Sequence, residues 1–175
     1  MNYQRIVCID LEMCCWDDGR EPRTGEIIEI GLAEVDLALG EVIQRGQYMV
    51  KPDHDEVSEF CTKLTGITQA RVDKGFSLEK ALELVVRNFG GKQKIYAAWG
   101  RDDYVIMNEC RAKGIPYPFK EFINLSTLYK VKSRIKNKRF GHYKTMQREG
   151  LGWEGQHHSG YDDAFNLARL ALHIL

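Results

Sequence analysis

Apolar residues come in two rhythms along this chain, and the change of rhythm near its middle divides the predicted elements. Arg5 to Leu11 is a near-continuous apolar run that reads as a buried strand. Ile28, Ile30 and Leu32 alternate with other residues in a second strand continuing to Val35, Gly40 marks a turn, and Val42 to Val50 returns as a third strand before Pro52. Three strands with such connections make an antiparallel meander. Trp16 to Gly25 between the first two is polar and broken by Gly19, Pro22 and Gly25, a loop composition.

Helical spacing then takes over. Leu78, Ala81, Leu82, Val85, Val86 and Phe89 fall on one helical face, with Ser77 as N-cap and Gly90-Gly91 as the stop. Ile95 to Trp99 is a short apolar strand, followed by a helix from about Asp103 to Ala112 that ends at Gly114 ahead of Pro116 and Pro118. Phe122 to Leu125 reads as a fifth strand. Leu128, Val131 and Ile135 suggest another helix, Tyr143 to Glu149 a short one, and Ala164, Leu167, Ala168, Ala171 and Ile174 the last. A meander followed by alternating helix and strand predicts an α/β fold: one mixed sheet with helices packed on its faces.

Composition narrows the classes. A chain of 175 residues is most simply one domain, residues 1–175, with enough core to need neither disulfides nor structural metal. No apolar stretch approaches a membrane span, and the N-terminus lacks a secretory layout, so the expected location is cytoplasmic with no membrane partner. The five cysteines lack paired C-x-x-C spacing, which suggests neither a disulfide framework nor a zinc site. Lys plus Arg and Asp plus Glu balance at 25 each, so net charge points to no partner. Phosphate can still be bound locally where acids gather elsewhere, for example around metal.

Candidate chemistry sits at three places. Asp10 and Glu12 end the first apolar run, and side chains two apart on a strand share a face. Acid-x-acid pairs also arise by chance, as in Glu34/Asp36 and Asp53/Asp55, but charge at the end of an apolar strand is costly unless used. Asp102 and Asp103 open a helix after the fourth strand; capping accounts for one and leaves the other for a metal. His157, His158, Asp162 and Asp163 precede the last helix, with Ser159-Gly160 as a bend. An imidazole, of ordinary pKa near ~6.5, accepts a proton at neutral pH, and hard cations prefer carboxylate oxygens. His54, His142 and His173 show no partner in sequence. Cys14 or Cys15 as a thiol nucleophile lacks an oriented base.

These motifs resemble the DEDDh family of 3′→5′ exonucleases. The pattern D-x-E matches Asp10-Leu11-Glu12, H-x-x-x-x-D matches His158 and Asp163, and the acid after the central strand is best matched by Asp103. The segments Asp10 to Asp18, Glu26-Ile27-Ile28-Glu29, Phe60 to Thr68 and His157 to Ala164 are similar to the histone-mRNA 3′-end exonuclease branch. The resemblance spans nearly the whole chain. It implies a ribonuclease H-like fold, with a three-strand antiparallel meander plus two parallel strands and helices on both faces. It implies two divalent cations, Mg²⁺ or Mn²⁺, on Asp10, Glu12, Asp103 and Asp163, with His158 as general base. Met13, Leu64, Thr65 and Ile67 would hold the terminal nucleotide, although Leu64 and Ile67 equally suit core packing. The branch often has an aromatic just before the second-motif acid; with Asp103 as that acid, the position is Asp102.

The expected activity is metal-dependent 3′→5′ hydrolysis of single-stranded RNA or RNA 3′ overhangs, releasing nucleoside 5′-monophosphates. The alternatives are a DNA 3′→5′ exonuclease and a non-catalytic nucleic-acid-binding domain on the same fold. Longer members of the branch carry a further nucleic-acid-binding region, and none is expected here. Lys130, Lys132, Arg134, Lys136, Lys138 and Arg139 form a basic stretch, readable as a solvated helix face and loop or as a track for the phosphate backbone.

Overall fold

The computed structural model describes residues 3–17, 19, 25–135 and 141–175. In chain order the elements are β1 (Arg5–Met13), β2 (Ile27–Asp36), β3 (Glu41–Met49), α1 (Glu59–Thr65), α2 (Gln69–Val72) and α3 (Leu78–Phe89). They continue with β4 (Ile95–Ala98), α4 (Asp102–Lys113), β5 (Glu121–Asn124), α5 (Leu125–Lys132), α6 (His142–Arg148) and α7 (Gly160–Ile174). The five strands form one sheet in the order β3-β2-β1-β4-β5. β1 pairs antiparallel with β2, β2 with β3, and β4 lies parallel to both β1 and β5. The expected meander plus two parallel strands is therefore what forms.

The period-two pattern of β1 decides what each face meets. Val7, Ile9 and Leu11 pack with Leu78, Ala81, Leu82, Val85 and Phe89 of α3 and with Ile106 and Cys110 of α4. Ile6 and Cys8 point the other way, into a cluster with Leu167, Ala168, Ala171 and Ile174 of α7, Leu125 and Tyr129 of α5, and Met146 of α6. Asp10 and Glu12 share the parity of Ile6 and Cys8 and so continue the α7 face. α7 begins at Gly160, against Asp10: a Cβ on Gly160 would lie 3.3 Å from the Asp10 carbonyl oxygen. From there the first turn of α7 brings Asp163 to the same end of the strand as Glu12.

Local signals explain several boundaries. Ser77 Oγ accepts the Lys80 N–H at 3.3 Å and starts α3 as its sequence predicts. Leu125, expected to end the fifth strand, instead opens α5, because the Asn124 side chain accepts the Thr127 N–H at 2.9 Å and caps a helix there. α1 and α2 fall in a segment to which the apolar pattern assigns no element; at seven and four residues they are too short for a helical period to show. Ser58 caps α1 by accepting the Cys61 N–H at 3.0 Å, and Gly66 ends it in the left-handed region at φ 74°. Of the basic stretch, Lys136, Lys138 and Arg139 lie outside the described residues; Lys130 and Lys132 are on α5.

Candidate active site

The parallel pairing of β1 with β4, in register at Ile6↔Ile95, Val7↔Tyr96 and Cys8↔Ala97, brings the carboxyl ends of both strands together. α/β sheets place their sites in the crevice beyond such ends. Here it is walled by Asp10, Leu11 and Glu12 of β1, by Gly141 to Lys144 at the start of α6, and by His157, His158 and Asp163, around a cleft of about 550 Å³. Glu12, His158 and Asp163 each offer a ligand atom, all within 4.8 Å of one another.

α7 reaches this cleft through two glycines. A Cβ on Gly31 of β2 would stand 1.9 Å from the Gly160 carbonyl oxygen, so only hydrogen at this position lets the helix start sit on the sheet. Because Gly31 pairs with Asp10, the contact fixes α7 beside β1. Glu29, two residues earlier and buried, accepts the Tyr161 N–H at 3.0 Å and the Gln47 amide at 2.7 Å. Arg45 of β3 donates to Asp162 Oδ1 at 3.0 Å and lies over the rings of Tyr161 and Phe165, at 3.9 and 4.1 Å. The other Asp162 oxygen accepts the Gln156 N–H at 2.9 Å, and the Gln156 side chain donates to the Thr65 carbonyl at 3.2 Å. The loop carrying His158 is thus tied to β3, α7 and α1. His158 itself has φ 63°, a left-handed conformation that costs a non-glycine residue energy and recurs at functional sites.

Electrostatics mark the same residues. Burial first, then Asp102, Asp163, Glu12 and Glu29, push the Asp10 carboxyl well above its ordinary range. Burial and the neighbouring Asp163, Glu29 and Asp102 take Glu12 up to about 8. Asp163 rises to about 7 through burial, with Glu29 and Asp162 adding to it against the hydrogen bond from the His158 backbone. Burial also lifts Asp102, to about 6, against the pull of backbone N–H groups including those of Gly100 and Leu11. Among the described residues no Lys or Arg pairs with these four acids. Four partly dehydrated like charges without a counter-charge are the donor set a divalent cation fits. The His158 imidazole is lowered by burial and by His157, which keeps it neutral at pH 7.

One expected site residue is displaced. Asp102, rather than Asp103, faces Asp10 and Glu12. The register of α4 is the reason: Ile106 and Cys110, its buried residues, follow Asp102 at four-residue steps, so Asp102 lies on the stripe that faces the sheet. Asp103 is turned aside, accepting Arg101 Nε at 3.1 Å and Nη2 at 3.3 Å. The position before the site acid is therefore Arg101, whose guanidinium stacks on Tyr104 at 3.5 Å.

The residues expected around the terminal nucleotide also divide. Ile67 is 1% exposed and packs with Cys14, Ile28, Cys61 and Val72, so its side chain is core. Thr65 is buried, its hydroxyl donating to the Cys61 carbonyl at 2.9 Å and accepting the Ile67 N–H at 3.0 Å. Met13 at the end of β1 is half-buried and Leu64 on α1 is 36% exposed, leaving both open to a ligand. The histidines without a partner in sequence acquire surroundings: His142 stacks on Trp99 and meets Trp153, and His173 bonds Glu149 at 3.1 Å. The ties made by Glu29, Arg45 and Gln156 escape a sequence reading, since each acts through a contact distant in the chain, although Glu29 lies in a segment that carries the family resemblance; Gly31 inside a strand is the one signal of close approach.

Acids at the carboxyl ends of two parallel strands meet His158, just before the last helix, and Asp163 within it on a five-stranded mixed sheet, an arrangement that suits a nuclease. The chain belongs to the exonuclease family, whose model matches residues 7–171. It is 32% identical to the 3′-5′ exonuclease Snipper of Drosophila melanogaster over 96% of this chain and 68% of that protein. With ERI1 exoribonuclease 2 of Mus musculus it shares 30% identity over 97% of this chain and 28% of that protein, so it spans between about a quarter and two-thirds of these relatives. Two solved structures share its fold at 26% identity. One shows 3′-end specific recognition of histone mRNA stem-loop by a 3′-exonuclease, with TM-score 0.89, covering 99% of this chain and 82% of that one. The other is the nuclease domain of 3′hExo, a DEDDh family member, bound to rAMP, with TM-score 0.85, covering 98% and 91%. The ribonuclease H-like architecture expected from sequence is the observed one. Among the described residues no helix is long and apolar enough to cross a membrane.

Proposed function

We propose that this chain removes nucleotides from the 3′ end of single-stranded RNA or RNA 3′ overhangs as one exonuclease domain, residues 1–175, using two divalent cations, with Mg²⁺ the first candidate and Mn²⁺ the second. The observation that carries the reading is the convergence of Glu12, His158 and Asp163 within 4.8 Å, beside Asp10 and Asp102. In this reading Asp10, Glu12, Asp102 and Asp163 hold the cations, Asp102 replacing the Asp103 expected from sequence. Bound there, the cations supply charge neutralisation at the scissile phosphate and acidify water. His158, neutral and held in its turn, accepts the proton of the attacking water. Asp163 takes the His158 backbone N–H on its carboxylate and keeps that imidazole at the cleft.

Met13 and Leu64 would hold the terminal nucleotide by apolar contact, which tolerates any base; Thr65 and Ile67 support that wall from within. RNA is preferred to DNA because relatives named exoribonucleases and a neighbour bound to rAMP stand beside this chain. A DNA substrate is the second reading, favoured by a relative named simply as an exonuclease. The location proposed is cytoplasmic, supported by five cysteines that are all free. The test is digestion of 5′-labelled RNA and DNA strands, with and without chelator, with Asp10→Asn as control. The reading expects a ladder shortened from the 3′ end, faster on RNA, dependent on metal and absent in the variant. Cleavage that persists in chelator contradicts it.

A further inference from the structure

One wall of the active-site cleft has no role in the chemistry above. Besides the acids, the cleft is lined by Gly141, His142, Tyr143 and Lys144 at the start of α6 and by His157. Lys144 is exposed and is the one Lys or Arg among the cleft's described lining residues. It makes no ion pair among the described residues. A free cation facing a carboxylate cluster is not drawn into that cluster here, so its charge is available to a ligand anion. Tyr143 beside it is 40% exposed, yet its ring is braced from behind: Trp153 meets it edge-on at 5.3 Å between centroids and His157 at 5.1 Å. The brace continues through Trp153 to His142 and from His142 to Trp99, at 5.0 and 5.7 Å. Within this brace His142 Nε2 and Trp153 Nε1 are buried without hydrogen-bond partners, so ring-to-ring packing is a large part of what holds them.

We propose that Tyr143 and Lys144 form a second contact point for the nucleic acid strand, separate from the Met13–Leu64 wall: Tyr143 stacks a base or ribose and Lys144 pairs with a backbone phosphate. The inference rests on the exonuclease reading and extends it from the terminal nucleotide to the strand that follows. Three features support it. The cleft's volume of about 550 Å³ falls in the range of roughly 300–1,000 Å³ usual for ligand sites, far more than cations and water need. A rigid aromatic next to a free cation is the pairing that binds single strands without sequence choice. Both residues follow one another on α6, while the ring brace connects Tyr143 to His157, the neighbour of the proposed base His158. A strand seated on Tyr143 thereby also loads the loop that carries out proton transfer.

The test measures binding apart from turnover. Fluorescence anisotropy of labelled oligonucleotides with Asp10→Asn protein in magnesium gives affinity; steady-state digestion by the otherwise unaltered protein gives KM and kcat. Lys144→Ala should weaken binding of a ten-nucleotide RNA about tenfold, and reduce the slope of log affinity against log salt by about 0.7, the share of one phosphate on a single strand. Tyr143→Ala should cost a similar factor with no change in salt slope, and Tyr143→Phe should restore most of it, since the stacking face remains. In digestion the losses should fall mainly on KM and shrink as the substrate is shortened to a dinucleotide. An unchanged affinity in Lys144→Ala, or the same loss at every substrate length, overturns the proposal. Failure of Tyr143→Phe to recover affinity overturns the stacking role. Digestion that survives in Asp10→Asn overturns the exonuclease reading instead, and the anisotropy series still judges the shelf.

Discussion

Gly31 of β2 and Gly160 at the head of α7 touch so closely that a single methyl group on Gly31 would lie 1.9 Å from the Gly160 carbonyl oxygen. The contact puts the last helix directly against the partner of Asp10 and positions His158 and Asp163. Gly31→Ala must displace the helix start, because the opposing atoms are backbone. The expected cost is about 2 kcal/mol, in the range of core overpacking, together with a large loss of RNA hydrolysis. Urea unfolding with an unchanged slope and a lower midpoint checks the first part. Activity retained at full stability would show that the strand and helix separate without consequence.

Much of this arrangement is legible in the chain. The apolar run ending in Asp10 and Glu12 is enough to put both acids on one face, because strand alternation is local, and that face is the one on which Ile6 and Cys8 are buried. The His158–Asp163 spacing is equally local. The second acid is a different matter. Asp102 and Asp103 differ by one residue, and choosing between them needs the register of α4, which only Ile106 and Cys110 packing on the sheet reveal. For Ile67 the sequence leaves nucleotide contact and core packing equally open, and only the folding of α1 and α2 buries it together with Thr65. The ties through Glu29, Arg45 and Gln156 depend on long-range contacts that no spacing announces.

Asp102→Asn and Asp103→Asn separate the two candidates. Asp102→Asn should lower turnover at saturating magnesium by at least about a hundredfold, a loss of about 2.7 kcal/mol in transition-state stabilisation. Asp103→Asn gives up the ion pair with Arg101 and one of the two oxygens that accept from it, and should stay within a few-fold. Initial rates on 5′-labelled RNA decide, and the reverse order would return the role to Asp103.

His158→Ala should reduce kcat by about a hundredfold or more, the ordinary worth of a general base, while cation affinity falls much less. Isothermal titration with manganese alongside the kinetics measures both. Equal loss of affinity and turnover would make the imidazole chiefly a ligand or a structural part of the turn.

Removing divalent cations should make stability depend on pH. Glu12 and Asp163, raised to about 8 and about 7 in the fold, ionise near ~4 in the unfolded chain. The folded state therefore holds more protons on these two groups across that interval, and their contribution to stability is fully present below pH ~4 and is lost as pH rises toward 8. Thermal melts in chelator should show a lower Tm at pH 8 than at pH 5, and added magnesium should narrow the gap. A Tm independent of pH in chelator would mean the acids are not crowded as described.

The most direct test of the account is the anomalous scattering of manganese in crystals of this protein. Two peaks about 3.5–4 Å apart, bounded by Asp10, Glu12, Asp102 and Asp163 with His158 alongside, are the predicted result. Manganese absent from that crevice, or bound through Asp103 with Asp102 turned away, would contradict it.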